Sequence, residues 1–175
     1  MGPEARHVTS SSDAGSAADP HAAGSAAGRR DGDHVAVKRL TPQARLPERA
    51  YHGDAAFDLF AAESCTLAPQ ERHVVGCGIA LQLPAGTAAL TLPRSGLAAR
   101  RGLTLVNAPG LIDSGYRGEV RLILLNTDAR EPLEIGVGDR VAQLLIISLP
   151  PVRLVEVDEL SESERSTRGF GSSGV

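Results

Sequence analysis

Gly102 to Asn126 reads GLTLVNAPGLIDSGYRGEVRLILLN. Leu103 to Val106 and Val120 to Asn126 are short apolar runs of strand character. Between them, Asn107-Ala-Pro-Gly110 is a turn, because proline and glycine break regular structure and asparagine favours turns. Apolar Leu111 and Ile112 follow it, so the first half of the stretch predicts a hairpin. Such a hairpin can offer backbone N–H and C=O groups to a flat polar edge. Asp113 comes directly after two apolar residues, which predicts a carboxylate held at a partly buried position.

The same texture runs outward in both directions. His34 to Leu40 alternates valine and leucine with polar residues. Further strand-like runs are Cys65 to Leu67, Arg72 to Val75, Ile79 to Leu83, Thr87 to Leu92, Arg140 to Ser148 and Val152 to Val157. Prolines and glycines, including Pro69, Gly76, Pro84, Gly86 and Gly138, punctuate them. A helix is predicted only over Ser95 to Arg101. Many short strands without βαβ alternation or internal repeat predict an all-β, jelly-roll-like sandwich or barrel over residues 34–160. The five aromatic residues are too few to dominate the core, which must rest on Val, Leu, Ile and Ala. These bury less area each, so a subunit of this size gains by burying surface against copies of itself.

The two ends differ from this domain. Met1 to Asp33 is rich in Ala, Gly, Ser and Asp and cannot bury enough apolar surface to repay ordering, so residues 1–33 are expected to be a disordered extension. Residues 161–175, SESERSTRGFGSSGV, read as a flexible glycine-rich tail. The tail nevertheless carries Arg and Phe among its glycines, which a plain linker does not need.

Several classes of function are disfavoured. A net charge of −3 with both signs interspersed argues against broad electrostatic binding to nucleic acid. No apolar run approaches the ~20 residues of a membrane helix. The first residues contain no apolar core, so a soluble, cytoplasmic protein is expected. Cys65 and Cys77 form no CxxC pair and are expected to be small buried hydrophobes. The histidines are scattered, so no protein-built zinc site is expected. The phosphate loop GxxxxGK[ST] and the nucleophile motif GxSxG are absent, and VGCGIA at 75–80 lacks the third glycine of a dinucleotide fingerprint.

Four polar features remain to be explained. Pro93-Arg94-Ser95-Gly96 puts a guanidinium, a hydroxyl and a flexible backbone at a strand end before a helical turn. That arrangement can grip a phosphate through an arginine fork and free N–H groups, or it can be a surface turn with a solvated arginine. Gln143 lies within an apolar run and needs a partner, either in a site or in the structure. Asp58 is either a functional acid or a structural hydrogen-bond acceptor. Asp139 and Arg140 are expected to fix a turn and a subunit contact.

Five segments taken together go further. They are Asp54 to Leu59, Pro93 to Ala98, Gly102 to Val120, Gly138 to Leu144 and Arg165 to Gly174, and in order and spacing they resemble the five motifs of the trimeric dUTPase family. The resemblance implies a homotrimer with shared active sites that hydrolyses dUTP to dUMP and pyrophosphate with Mg²⁺. It implies that the hairpin holds uracil through Leu111 and Ile112 with help from Asn107. Asp113 becomes the base that activates water, and Tyr116 stacks on the sugar and excludes a 2′-hydroxyl. Arg94, Ser95, Gly96, Arg121 and Gln143 become substrate contacts, and Asp58 holds a metal ion through water. In the tail, Arg165, Gly169 and Phe170 close over the nucleotide, with Phe170 stacked on uracil. Ala56 stands where the family usually has Gly. Ser166 and Arg168 replace usual tail glycines; counting back from Phe170 favours Arg165 as the family arginine, whereas a shifted alignment with a deletion uses Arg168. Three other readings stay open: a dCTP deaminase of related fold, a nucleotide-binding regulator without turnover, and a purely structural β-sandwich protein.

Overall fold

The computed structural model of the chain describes residues 34–163. The expected extension (1–33) and the tail residues Arg165, Gly169 and Phe170 lie outside the described residues. In chain order the strands are β1 (Ala36–Arg39), β2 (Phe57–Phe60), β3 (Cys65–Leu67), β4 (Arg72–Gln82) and β5 (Thr87–Leu92). Helix α1 (Ser95–Arg101) follows, then β6 (Leu103–Leu105), β7 (Gly110–Asp113), β8 (Glu119–Asn126), β9 (Leu133–Ile135) and β10 (Arg140–Ser148). Two four-stranded antiparallel sheets, β1-β4-β8-β6 and β2-β10-β5-β7, form a sandwich, and β3 pairs with β9 separately. The architecture is an open sandwich, not a closed barrel.

Alternation is clearest in β8, while β4 is buried on both faces over Val75–Leu81. In the first sheet Val75, Cys77, Ile79 and Leu81 of β4 face inward with Val120, Leu122 and Leu124 of β8. In the second, Leu59, Ala89, Ala142 and Leu144 meet them. Apolar surface removed from water on these two faces is the main stabilising term. Cys77 is a free thiol in this layer, as predicted, while free Cys65 is only half-buried. Burial pushes the Cys77 thiol up to about 12, with the Glu119 and Glu63 carboxylates adding to the effect.

Four features depart from the sequence expectations. Arg72–Gln82 is one strand, not two, because Gly76 and Gly78 make a bulge against β8 instead of a turn. Their N–H groups donate to carboxylates, Gly76 to Glu63 at 2.6 Å and Gly78 to Glu119 at 2.9 Å. The hairpin is also revised. β6 pairs with β8 in one sheet and β7 pairs with β5 in the other, so the Asn107 turn carries the chain between sheets. Close approach of β7 to β5 needs Gly110, since a Cβ there overlaps the Thr91 hydroxyl. Val152 to Val157 forms no strand, and its apolar side chains are exposed. Strands β2 and β9 were not foreseen, being short and, in β2, interrupted by a charged Asp58.

One buried polar residue ties the smaller pair of strands to the sandwich. Asn126 is fully buried, and its amide donates to the carbonyls of Leu67, Ala68 and Glu131 at 2.9–3.3 Å. Its oxygen accepts the Asp128 N–H at 3.0 Å. Asn126→Ala strands these groups away from water and should cost on the order of 3 kcal/mol. Urea unfolding at fixed protein concentration checks this, and an unchanged midpoint contradicts it.

Candidate active site

Chain direction brings most of the predicted nucleoside contacts together. The turn from β6 to β7 supplies Asn107, β7 supplies Leu111, Ile112 and Asp113, the next turn supplies Tyr116, and β8 supplies Arg121. All line one cleft of about 190 Å³. Thr91 and Glu119 also border it. Asp113 accepts the Tyr116 N–H at its main-chain oxygen, 3.0 Å away, which closes the turn that brings the ring back over the cleft. The Tyr116 hydroxyl donates to the Glu119 carbonyl at 3.0 Å. Gly118 makes this possible, since a Cβ there would sit 2.6 Å from the Tyr116 Cζ.

Asp113 is exposed in the single chain, in contrast to the partly buried carboxylate predicted. The reason is its place as the last residue of β7, an edge strand, pointing away from the packed face. Among the described residues no hydrogen bond reaches its carboxylate.

The PRSG segment lies elsewhere. Arg94 lines a second cleft, about 310 Å³, with Leu97, Arg101 and Arg140 of its own chain. The two clefts share no lining residue. Arg94 is extended and precedes α1. The first amides bonded within the turn are those of Leu97 and Ala98, both to the Arg94 carbonyl. The Ser95 and Gly96 amides come before them and face outward at the helix start.

Asp58 is the electrostatic anchor of this second region. It is 3% exposed. Arg94 Nε donates to its Oδ1 at 3.0 Å, and Arg140 donates to its Oδ2 at 3.4 Å. Arg94 also donates to the Arg140 carbonyl at 3.1 Å. These bonds support the acceptor reading of Asp58, and they orient the Arg94 guanidinium. Asp139 closes its turn as expected, accepting the Gly136 N–H at 2.8 Å. The pairing of Arg140 with Asp58 was not anticipated, because the two lie 82 residues apart.

Gln143 sits opposite both Asp58 and Leu92 in the second sheet. Its neighbours Ala142 and Leu144 face the core, so Gln143 points to the outer face. Among the described residues its side chain makes no hydrogen bond. Glu119 was also missed as a site residue. Its signal was a charged side chain two residues before Arg121 at the start of an apolar strand.

Comparisons with known proteins show the family and the fold. The dUTPase family pattern matches residues 42–174. The chain is 55% identical over 140 residues to the deoxyuridine 5′-triphosphate nucleotidohydrolase of Thermobifida fusca (strain YX), covering 80% of this chain and 78% of that one. Staphylococcus bacteriophage 80alpha dUTPase, solved with dUPNHPP, superposes with a TM-score of 0.76 at 33% identity, over 82% of this chain and 99% of that one. A mutant dUTPase from phage phi11 of S. aureus, whose structure shows the coordination of a structural Mg(II) ion, gives a TM-score of 0.69 at 28% identity, over 74% and 100%.

Proposed function

The chain belongs to the dUTPase family, and we propose from this that it hydrolyses dUTP to dUMP and pyrophosphate, limiting uracil incorporation into DNA and supplying dUMP. The observation that carries the reading is the cleft in which Asn107, Leu111, Ile112, Asp113, Tyr116 and Arg121 meet. Main-chain groups of residues 107–112 take the polar edge of uracil, in a slot too tight for a 5-methyl group. The Tyr116 ring stacks on the sugar and leaves no room for a 2′-hydroxyl. Asp113 accepts a proton from a water molecule whose oxygen attacks the α-phosphorus in line. The bond to the bridging oxygen breaks, and pyrophosphate leaves with that electron pair. Positioning and charge neutralisation supply most of the rate. Arg94, Ser95, Gly96 and Gln143 serve the phosphates, and Arg165, Gly169 and Phe170 close over the nucleotide.

Mg²⁺ belongs to this reading as an ion carried by the triphosphate. Among the described residues no three acidic, histidine or cysteine side chains meet in a metal-holding arrangement. Asp58, the candidate for a water-mediated contact, has both oxygens engaged by arginines. Phosphate oxygens and water suit this hard cation, which supplies charge neutralisation when bound.

The partner of the chain in this reading is itself, as a homotrimer with shared sites. Asp113 pairs with Ala88, and Arg94 lies six residues further along the same direction. At a strand rise of ~3.3 Å this separates the two backbones by roughly 20 Å. A single nucleotide therefore meets the Asp113 cleft of one copy and the Arg94 of another. The outer face of the second sheet supports this too. Leu90, Leu111 and Leu145 lie side by side across it, with Ile147 beside Ala88 and Asp113. A further row of exposed apolar groups runs from Leu149 to Leu160. Apolar area of this extent is covered in stable assemblies. No helix among the described residues is long and apolar enough to cross a membrane. The reading assigns the enzyme to the cytoplasm, with its nucleotide substrate.

Pyrophosphate release from dUTP, UTP, dTTP and dCTP tests the proposal. dUTP should be turned over, with the others at least about 10²-fold slower in kcat/KM. Comparable UTP turnover removes the sugar role of Tyr116. Ammonia release from dCTP indicates a deaminase, and tight dUTP binding without product indicates a regulator.

A further inference from the structure

The bulge in β4 has a consequence for the nucleoside cleft. Strand β8 enters the cleft with Glu119, whose side chain is one-third exposed. Its carboxylate is drawn back to the bulge, where Oε1 accepts the Gly78 N–H at 2.9 Å. Gly78 has a φ of +65°, in the left-handed region where glycine is favoured, and this turns its N–H toward β8. Gly76 supplies the space, since a Cβ there would come within 3.1 Å of Glu119 Cδ. Glu119 also touches two elements of the cleft. Its main-chain carbonyl accepts the Tyr116 hydroxyl at 3.0 Å, and its Oε2 lies 4.0 Å from Arg121 Nε.

We propose that Glu119 is a positioning residue for sugar recognition: anchored by the Gly76–Gly78 bulge, it holds the Tyr116 ring at the angle that admits a deoxyribose and refuses a ribose. The inference rests on the dUTP-hydrolysing reading and adds a residue to it. Tyr116 is 47% exposed, so packing alone does not hold its ring. The hydroxyl bond to Glu119 fixes the outer end of the ring, and the path of the Glu119 backbone is fixed by its own side-chain bond to the bulge. Lengthening or loosening that path lets the ring swing, which weakens stacking on the sugar and opens room beside C2′. Asp113, on the far side of the turn, keeps its geometry, so the chemical step is spared.

The test separates reach from charge. Glu119→Asp keeps the charge, but its shorter side chain cannot span to the Gly78 N–H. Glu119→Gln keeps the span and an acceptor oxygen but loses the charge. Steady-state kinetics with dUTP and UTP should show Glu119→Asp raising KM for dUTP about tenfold and lowering the dUTP-to-UTP preference by about tenfold, the scale of one lost hydrogen bond. Its kcat should stay within about threefold of the unmodified enzyme. Glu119→Gln should retain the preference. Tyr116→Phe should reproduce the Glu119→Asp loss, and the double variant should be no worse than either alone, because both cut one path. The inference is overturned if Glu119→Asp keeps the preference, if Glu119→Gln loses it equally, or if the two losses multiply. A fall in melting temperature with an unchanged preference assigns Glu119 to stability alone. If the unmodified chain does not turn over dUTP, the underlying reading fails and the inference falls with it. If it does and Glu119→Asp matches it, the inference fails and the reading stands.

Discussion

Asp113→Asn is expected to cut dUTP turnover by roughly 10²–10⁴ while leaving nucleotide binding and the melting temperature nearly unchanged. The size follows from the role. A neutral amide cannot take the proton of the attacking water, and the lost base is worth that range. The preserved fold follows from the structure. Asp113 is exposed at the end of β7, and among the described residues no hydrogen bond reaches its carboxylate. An isosteric amide therefore breaks no structural contact. The main-chain bond that closes the turn to Tyr116 is independent of the side chain. Initial rates of pyrophosphate release at saturating dUTP give the turnover, and titration with a non-hydrolysable imido analogue of dUTP gives the binding. Near-normal turnover removes Asp113 from the mechanism, and lost binding makes it a substrate contact instead.

Mixing two inactive variants should restore activity. Asp113→Asn lacks the base, and Arg94→Ala lacks the guanidinium expected at the phosphates. If each site takes Asp113 from one copy and Arg94 from the next around a closed ring, some sites in mixed assemblies receive both intact groups. Random mixing in equal amounts gives about a quarter of the sites in that state, so about a quarter of the unmodified activity should return. The expectation comes from the separation of the two clefts and the strand register between Ala88 and Arg94. Arg94→Ala also removes one of the two partners of Asp58, although Arg140 remains. Its melting curve and its assembly by light scattering therefore accompany the kinetics. Subunit exchange is followed with differently tagged copies. Exchange without recovered activity contradicts sites shared in this way.

The legible part of this chain was local. Short apolar runs bounded by proline and glycine marked Thr87–Leu92 and Arg140–Ser148 to the residue, because a strand buried in a sandwich is rich in apolar side chains and ends at turn residues. The helix at Ser95–Arg101 was equally plain, since it ends at Gly102 with a φ of +62°, a conformation that suits glycine. The cleft residues from Asn107 to Arg121 were found together because they lie on one short stretch that doubles back on itself. Motif order named the family from the same letters.

Other features depended on which distant segments the fold joins. Gly76 reads as a breaker, yet it is part of a bulge because the Glu63 and Glu119 carboxylates come to satisfy the amides there. The hairpin expected around Asn107 became a crossing between sheets, since β8 and β5 compete successfully for its two arms. Alternation in Val152 to Val157 signals a strand, but a strand also needs a free edge, and within the single chain none meets it. Asp58 was ambiguous as a letter. Its role follows from burial beside Arg94 and Arg140, where a carboxylate removed from water must be met by opposite charge. Sequence alone determined the strand faces, the turns and the identity of the cleft residues, because these depend on neighbours a few positions away. Only the tertiary structure decided sheet partners, the pinning of Arg94 and the division of the predicted site into two clefts, because those depend on contacts between residues far apart in the chain.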